Sequence, residues 1–266
     1  MGRSSLFNAR RTIIVEDHKL DFRQVLAYEL SAYGGRSKLQ VFWRLQRINV
    51  VMQYLERHFS GREMQEKTLA DVGCGPGIVA SMFARRGYNI IGIDHFKPFI
   101  EYATKKFKRE MLDGKFILAD VCHDDNPLFE NLQCNSIICI DAFEHFTKPG
   151  IAIDNFKKIL GEAGGKVFLT MPNFRGSLYG YIEKIWDDFA KTPGWKELHV
   201  TRLKIPELIS LFSSRGFKIE AAGTFLLTSP FLSVFSLKLA RMISHVENYL
   251  LEKVHWGFMI YLVARI

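Results

Sequence analysis

Gly73, Gly75 and Gly77 occupy alternate positions just after Asp71 and Val72, at the end of one apolar run and the start of a helical pattern. Glycines at such a junction let the backbone turn sharply and approach a ligand closely. The helix behind them offers its first N–H groups, which have no partner inside the helix. The next apolar run ends at Asp94, followed by His95. In nucleotide-binding folds an acid at that place takes ribose hydroxyls. A dinucleotide fingerprint would read G-x-G-x-x-G. Here Ile78 stands where its third glycine belongs, so a pyrophosphate-binding loop is disfavoured.

A second group with chemical capacity is Asp141, Glu144 and His145, directly after the apolar run Ser136–Ile140. If that turn is helical, residues three and four apart project to one side. Such a group can remove a proton from a hydroxyl, with His145 or Glu144 acting directly or through a divalent metal. General-base action by His145 is the preferred expectation, and metal ligation by Asp141, Glu144 and His145 is the other. A Glu-His pair at this place can also simply shape the loop. His199 reads as a loop residue. Cys74 lies within the glycine loop, and its side chain reads as packing.

The elements that must position these residues alternate in type. Strands are expected at Thr68–Val72, Asn89–Ile93, Lys115–Leu118, Ser136–Ile140 and Lys166–Met171, with helices at Gly77–Arg86, Pro98–Arg109 and Gly150–Leu160 between them. This alternation implies right-handed βαβ units and a parallel sheet. Before it stand short and long helical patterns, Phe22–Ala32 and Leu39–Phe59. After it come an aromatic helical stretch at Leu178–Ala190, a helix at Ile205–Ser214, and a strand at Phe217–Ala222. A long helix at Leu232–Glu252 and a strand at Trp256–Ala264 complete the chain.

Composition narrows the classes. The chain has 266 residues, 48% hydrophobic and 24% charged, which fits a folded globular protein and excludes a disordered tail. Four cysteines without metal or CxxC spacing read as free thiols in a reducing compartment. The first eleven residues lack an apolar core segment, so no secretory signal is expected there, and Leu6 breaks a myristoylation pattern. The uncharged run Ala221–Leu237 is broken by Pro230 and reads as a strand, a turn and a helix start. The net charge of +8 comes from basic residues spread along the chain, which gives weak grounds for nucleic-acid binding.

The chain resembles the class I S-adenosylmethionine-dependent methyltransferases. Asp71 to Gly77 resembles their first motif and Ile91–Asp94 their second. Leu118–Val121 resembles the third, Ile137–Phe146 the fourth, and Gly164–Asn173 the strand beyond. Within that superfamily the chain is similar to the ubiquinone-biosynthesis O-methyltransferase family. Arg47-Ile48-Asn49, the spacing Asp141-x-x-Glu144-His145, and Thr201–Leu208 after His199 carry this likeness. The sequence departs from the family at two points: Met52 stands where a second arginine is common, and Asp141 replaces a glutamate.

The resemblance implies a Rossmann-like α/β fold of seven mostly parallel strands with the last one reversed. Residues 1–38 would form an N-terminal helical extension, 39–266 the catalytic domain, and 174–200 an acceptor-side lid rich in aromatics such as Phe174, Tyr179, Trp186 and Trp195. It implies S-adenosylmethionine as cofactor, with Asp94 on the ribose, Asp120 near the adenine and Arg47 on the methionine carboxylate. Asp71, Gly73, Cys74, Gly75, Gly77, His95, Val121 and Ile140 would line the cofactor. Any metal at Asp141, Glu144 and His145 would be of the magnesium type.

The expected reaction is methyl transfer to a small-molecule oxygen of a phenol, quinol or lipid-like acceptor. Three alternatives stay open: N- or C-methylation of a small molecule, RNA methylation, and non-catalytic cofactor binding. Against RNA, no Asn-Pro-Pro-Tyr-type base clamp follows the fourth strand. The long helix at Leu232–Glu252 mixes Lys238, Arg241 and His245 with leucines; it reads as a packed helix, with peripheral membrane contact as the alternative. The expected location is cytoplasmic or membrane-peripheral. Neutralising many phosphates makes binding fall by about 10³–10⁵ between 50 and 200 mM salt. Turnover on a soluble acceptor should therefore change less than about tenfold over that range, and a collapse in a salt titration would favour the RNA alternative.

Overall fold

The computed structural model describes residues 12–15, 18–35, 37–61, 67–123, 126–162, 164–179 and 199–266. Near the amino end, β1 (Thr12–Val15) and β2 (His18–Asp21) pair antiparallel, ahead of α1 (Phe22–Gly34) and α2 (Lys38–His58). The βα alternation follows: β3 (Thr68–Val72), α3 (Ile78–Ala84), β4 (Asn89–Asp94), α4 (Lys97–Arg109), β5 (Gly114–Leu118), β6 (Ser136–Ile140), α5 (Pro149–Leu160) and β7 (Lys166–Pro172). The chain ends with α6 (Ile205–Ser213), β8 (Lys218–Phe225), α7 (Ser229–Leu232), α8 (Leu237–Val254) and β9 (Met259–Arg265).

Seven strands form one sheet in the order β5-β4-β3-β6-β7-β9-β8. β5 to β7 pair in parallel, while β9 runs antiparallel between β7 and β8. The expected reversed last strand is thus present. The chain moves outward from β3 through β4 and β5, then returns to lay β6 against the other side of β3. Open α/β sheets bind ligands at the carboxyl edge of such a reversal.

All five residues of β6 are buried, as a strand covered on both faces requires. Its side chains alternate between two layers. Ile137 and Cys139 join Phe156 of α5 and Phe212 of α6 in one layer. Ile138 and Ile140 join Val51 and Leu55 of α2 and Phe83 of α3 in the other. The helix α2 therefore lies on the sheet face beside the reversal, and Ser37 caps it by accepting from the Gln40 N–H at 3.2 Å. On the opposite face, Asn155 of α5 donates from Nδ2 to the carbonyls of Val121 and His123, which holds the loop after β5.

Two glycines of the loop after β3 are required by close packing. Gly73 has φ +76°, and a Cβ there would stand 2.3 Å from the Ala142 Cβ. The loops after β3 and β6 therefore touch at that glycine. Gly77 has φ +72°, and a Cβ would meet the Ala103 Cβ of α4 at 2.9 Å. Gly75 differs: φ is +51°, but nothing lies within 4 Å of its Cβ position.

The structure departs from the expected elements in two places. Thr12–Val15 and His18–Asp21 pair as β1 and β2 in a region expected to be only helical; the β-branched run Thr12-Ile13-Ile14 favours strand. The expected helix Leu232–Glu252 begins only at Leu237, because Ser236 caps α8 by accepting from the Leu239 N–H at 3.3 Å, and Leu232 instead ends α7. Most of the expected helix Leu178–Ala190 and of the 174–200 lid lies outside the described residues, including Trp186 and Trp195. The run Ala221–Leu237 does form a strand, a turn and a short helix. No described helix is long and apolar enough to cross a membrane.

Substituting Gly73 with alanine should destabilise the protein more than substituting Gly75. Both changes strain a positive φ, but only Gly73→Ala forces a side chain into Ala142, an overpacking cost of about 1–3 kcal/mol. Chemical denaturation of the two variants measures the difference, and equal losses would refute the close contact.

Candidate functional site

The loops after β3, β4, β5 and β6 surround a cavity of about 480 Å³ at the carboxyl edge of the sheet. Val25, Glu29 and Tyr33 of α1 and Arg44 of α2 close one side. Asp71, Gly73, Cys74, Gly75, Asp94, His95, Asp120, Val121, Ile140, Asp141 and His145 all line it, as expected from their positions. Gly77, Arg47 and Glu144 do not. For Gly77 the reason is its packing against α4. Its N–H also closes the loop by donating to the Cys74 carbonyl at 3.0 Å.

Asp94 ties two loops together. Its Oδ2 accepts from the Gly75 N–H at 2.9 Å and its Oδ1 from the Phe96 N–H at 2.8 Å. Each oxygen keeps a second lone pair for a ligand hydroxyl. Gly75 sits where any side chain would project into open space, so its backbone is available to a bound molecule. Burial raises the Asp94 carboxyl above its ordinary range, and the two N–H donors and His95 pull it back in part. Asp71 lies deeper, 2% exposed, with no hydrogen-bond partner for Oδ2 among the described residues. Burial first, and then repulsion from Asp94, pushes Asp71 up to about 7. Asp120 accepts from the Cys122 N–H at 2.8 Å, so it shapes its own turn as well as lining the cavity. The Cys74 thiol is buried and pushed well above its ordinary range, chiefly by that burial, so it packs rather than reacts.

The far wall differs from expectation. Arg47 was expected to face a ligand carboxylate; instead its guanidinium pairs with Asp141 Oδ2. Arg44, three residues earlier on α2, also reaches Asp141 Oδ2 at 3.4 Å and is the arginine that lines the cavity. Residues three apart share a helix face, so the sequence alone does not separate them. Asp141 takes a positive φ of +53°, a conformation that aspartate tolerates better than most residues. It therefore stands outside the following 3₁₀ turn, Phe143–His145, and the helical turn that would align it with Glu144 and His145 is absent.

A different cluster forms. Ligand atoms of Glu144, His145 and His199 all lie within 4.8 Å of one another. His199 approaches from the segment before α6, with its ring 5.1 Å from that of His145 and 4.8 Å from Phe174. Thr201 fastens that segment, its N–H donating to the Glu144 carbonyl at 2.9 Å and its hydroxyl to the Phe146 carbonyl at 2.7 Å. Glu144 is buried behind His145, and burial pushes its carboxyl up to about 7 against the pull of His145 and His199. His199 and Arg44 are the residues that sequence reasoning missed. The Glu-His pair and the resemblance around Thr201 were the only available signals for His199.

Comparisons with known proteins bear on the family and the fold. A family model for a methyltransferase domain matches residues 42–222. The ubiquinone biosynthesis O-methyltransferase of Coxiella burnetii is 29% identical over 136 residues, covering 50% of this chain and 55% of that protein. Its counterpart in Rickettsia akari is 24% identical over 187 residues, covering 65% and 72%. The chain thus spans about half the length of the Coxiella relative. Among solved structures, magnesium protoporphyrin IX methyltransferase of Synechocystis PCC 6803 with bound S-adenosylhomocysteine aligns with a TM-score of 0.58. It is 15% identical and covers 91% of this chain and 94% of that one, a likeness of fold alone.

If Asp94 takes ribose hydroxyls, Asp94→Ala should weaken S-adenosylhomocysteine binding by about 1.5–3 kcal/mol, the range for a hydrogen bond to a charged group. Isothermal calorimetry reads this directly. Unchanged affinity would remove Asp94 from the ligand, and tight NAD binding in the same cavity would overturn the assignment.

Proposed function

The chain belongs to the methyltransferase-domain family with the class I S-adenosylmethionine-dependent fold, and we propose that it methylates an oxygen of a small phenolic, quinol or lipid-like acceptor. The observation that carries this is that His145 lines the same cavity as the Asp94–Gly75 clamp. A nucleoside held by the clamp and a hydroxyl beside His145 would share one enclosed space. The names of the curated relatives support oxygen as the atom methylated.

The cofactor, when bound, supplies a methyl group on a positively charged sulfur, already activated for transfer. The fit is favourable on two counts. Gly75 leaves open space, and Asp71 and Asp94 offer buried carboxylates to a cationic ligand, whose charge favours their ionised forms. Phe96, Phe99 and Phe146 give the cavity aromatic walls that suit a charge dispersing in the transition state. Holding the reacting atoms in line then supplies a large share of the rate.

His145 accepts the acceptor's hydroxyl proton, and Glu144 behind it orients the ring and stabilises the imidazolium. This is the base-and-orienter arrangement of general-base sites. Glu144 performs this best as the anion. Since its carboxyl sits near 7, turnover should rise as pH increases through that value.

A divalent metal is the second reading, favoured by the Glu144–His145–His199 group. Two imidazoles and one carboxylate suit a transition metal or zinc. Magnesium prefers oxygen ligands, and Asp141 is engaged by two arginines, so the residues do not fit a magnesium site.

His145→Ala should lower kcat by about 10²-fold or more with S-adenosylhomocysteine affinity nearly unchanged. Glu144→Gln should flatten the rise in rate through pH 7. Chelator should leave turnover intact; its abolition and restoration by zinc would replace the general base with the metal.

A further inference from the structure

Helix α8 presents an apolar face to solvent. Phe235 just before it is 84% exposed, and Leu239, Met242, Val246, Tyr249 and Leu250 follow along one exposed stripe. From Phe235 through Leu239, Met242 and Val246 to Tyr249 the spacing alternates between four and three residues, and Leu250 stands four after Val246, the period of a single helix face. Trp256, directly after the helix, is 67% exposed. A contiguous apolar surface of this kind marks a binding site on a soluble fold.

The outward direction is enforced from the other side. The inner face carries Ala240, Ser244, Glu247 and Leu251. Glu247 is a buried carboxylate that accepts from the N–H groups of Leu227, Thr228 and Ser229 and from the hydroxyls of Thr228 and Ser229. The Leu251 carbonyl accepts from the Thr224 hydroxyl at 2.8 Å, and Asn248 Oδ1 from the Leu226 N–H at 3.1 Å. Rotating the helix to hide its leucines would strip five donors from a buried charge. The polar face is therefore locked inward, and the apolar face outward.

Charge selects the occupant. Lys238, Arg241 and His245 are exposed and recur at the same three–four spacing, one flank away from the apolar stripe. Lys253 adds a further exposed cation. Among the described side chains of α8 the only carboxylate is the buried Glu247. Pairing with a second copy through this stripe would bring the exposed cations of the two flanks together, whereas anionic headgroups would neutralise them. We propose that α8, with Phe235 and Trp256 at its two ends, lies in the plane of an anionic lipid bilayer, its apolar stripe in the acyl boundary and its basic flank on the headgroups. The short helix α7 before it links this surface to α2, the helix beside the cavity. Phe231 of α7 meets Phe258 edge-on, and Phe258 stacks on Trp43 of α2, which also carries Arg44 and Arg47.

The test uses the full chain and flotation with vesicles of phosphatidylcholine alone or mixed equally with phosphatidylglycerol. Binding to the anionic vesicles should be at least tenfold tighter and should fall with salt. Met242→Glu with Val246→Glu, both at exposed positions, should abolish it while circular dichroism and S-adenosylhomocysteine affinity stay unchanged. Lys238→Ala with Arg241→Ala should weaken it by roughly fivefold per residue. Trp emission should shift to the blue on binding, and Trp256→Phe should remove most of that shift. Equal binding to both vesicle types would overturn the electrostatic part. A protein that ignores vesicles would overturn the proposal: either sedimentation shows a dimer broken by Met242→Glu, so a second copy covers the face, or it shows a monomer, so residues 180–198 or another partner do.

Discussion

The buried pairing of Asp141 with Arg47 and Arg44 is the constraint on which the site depends. It joins α2 to the loop after β6, across the point where the sheet reverses direction. An isolated charge in such surroundings costs several kcal/mol, so each partner holds the other in place. Asp141 accepts a left-handed backbone there, which starts the tight turn carrying Glu144 and His145. Next to it, Ala142 presses on Gly73, so the position of the β6 loop also sets that of the glycine loop. The two walls of the cavity are positioned by one carboxylate shared between two arginines and by one missing Cβ.

The electrostatics of the site follow from this enclosure. Asp71, Asp94 and Glu144 are all buried, and desolvation is the largest cause of the upward shift in each. The arginines that could compensate them are committed to Asp141 on the α2 side. Desolvation leaves the charged forms of these carboxylates under-compensated, an imbalance that a cationic ligand would relieve. The sulfonium of S-adenosylmethionine has that charge, so binding and chemistry would draw on the same imbalance.

The same principle acts at the surface. A buried carboxylate, Glu247, gathers five donors from the turn after β8 and thereby determines which side of α8 meets solvent. Satisfaction of one polar group outweighs the exposure of several apolar ones. This is the expected order when an unpartnered charge inside costs more than a few exposed side chains.

The sequence alone determined the elements whose signals are local. The glycines and Asp94 were legible because a sharp turn and a strand-end acid are backbone chemistry at fixed spacing. The central strands β3, β6 and β7 were legible because burial on both faces leaves few residues other than apolar ones. Gly77 belongs with them as a turn residue, but only packing against Ala103 showed that it faces α4 and not the cavity. The structure decided what depends on rotation and on distance along the chain. Arg44 and Arg47 share one helix face, and the tilt of α2 chose which would line the cavity. His199 reached Glu144 and His145 from beyond β7, a contact that no local pattern encodes. The long helix at Leu232–Glu252 read as packed, and the donors around Glu247 decided that the apolar side of α8 points outward, because a residue pattern specifies a direction only relative to the helix itself.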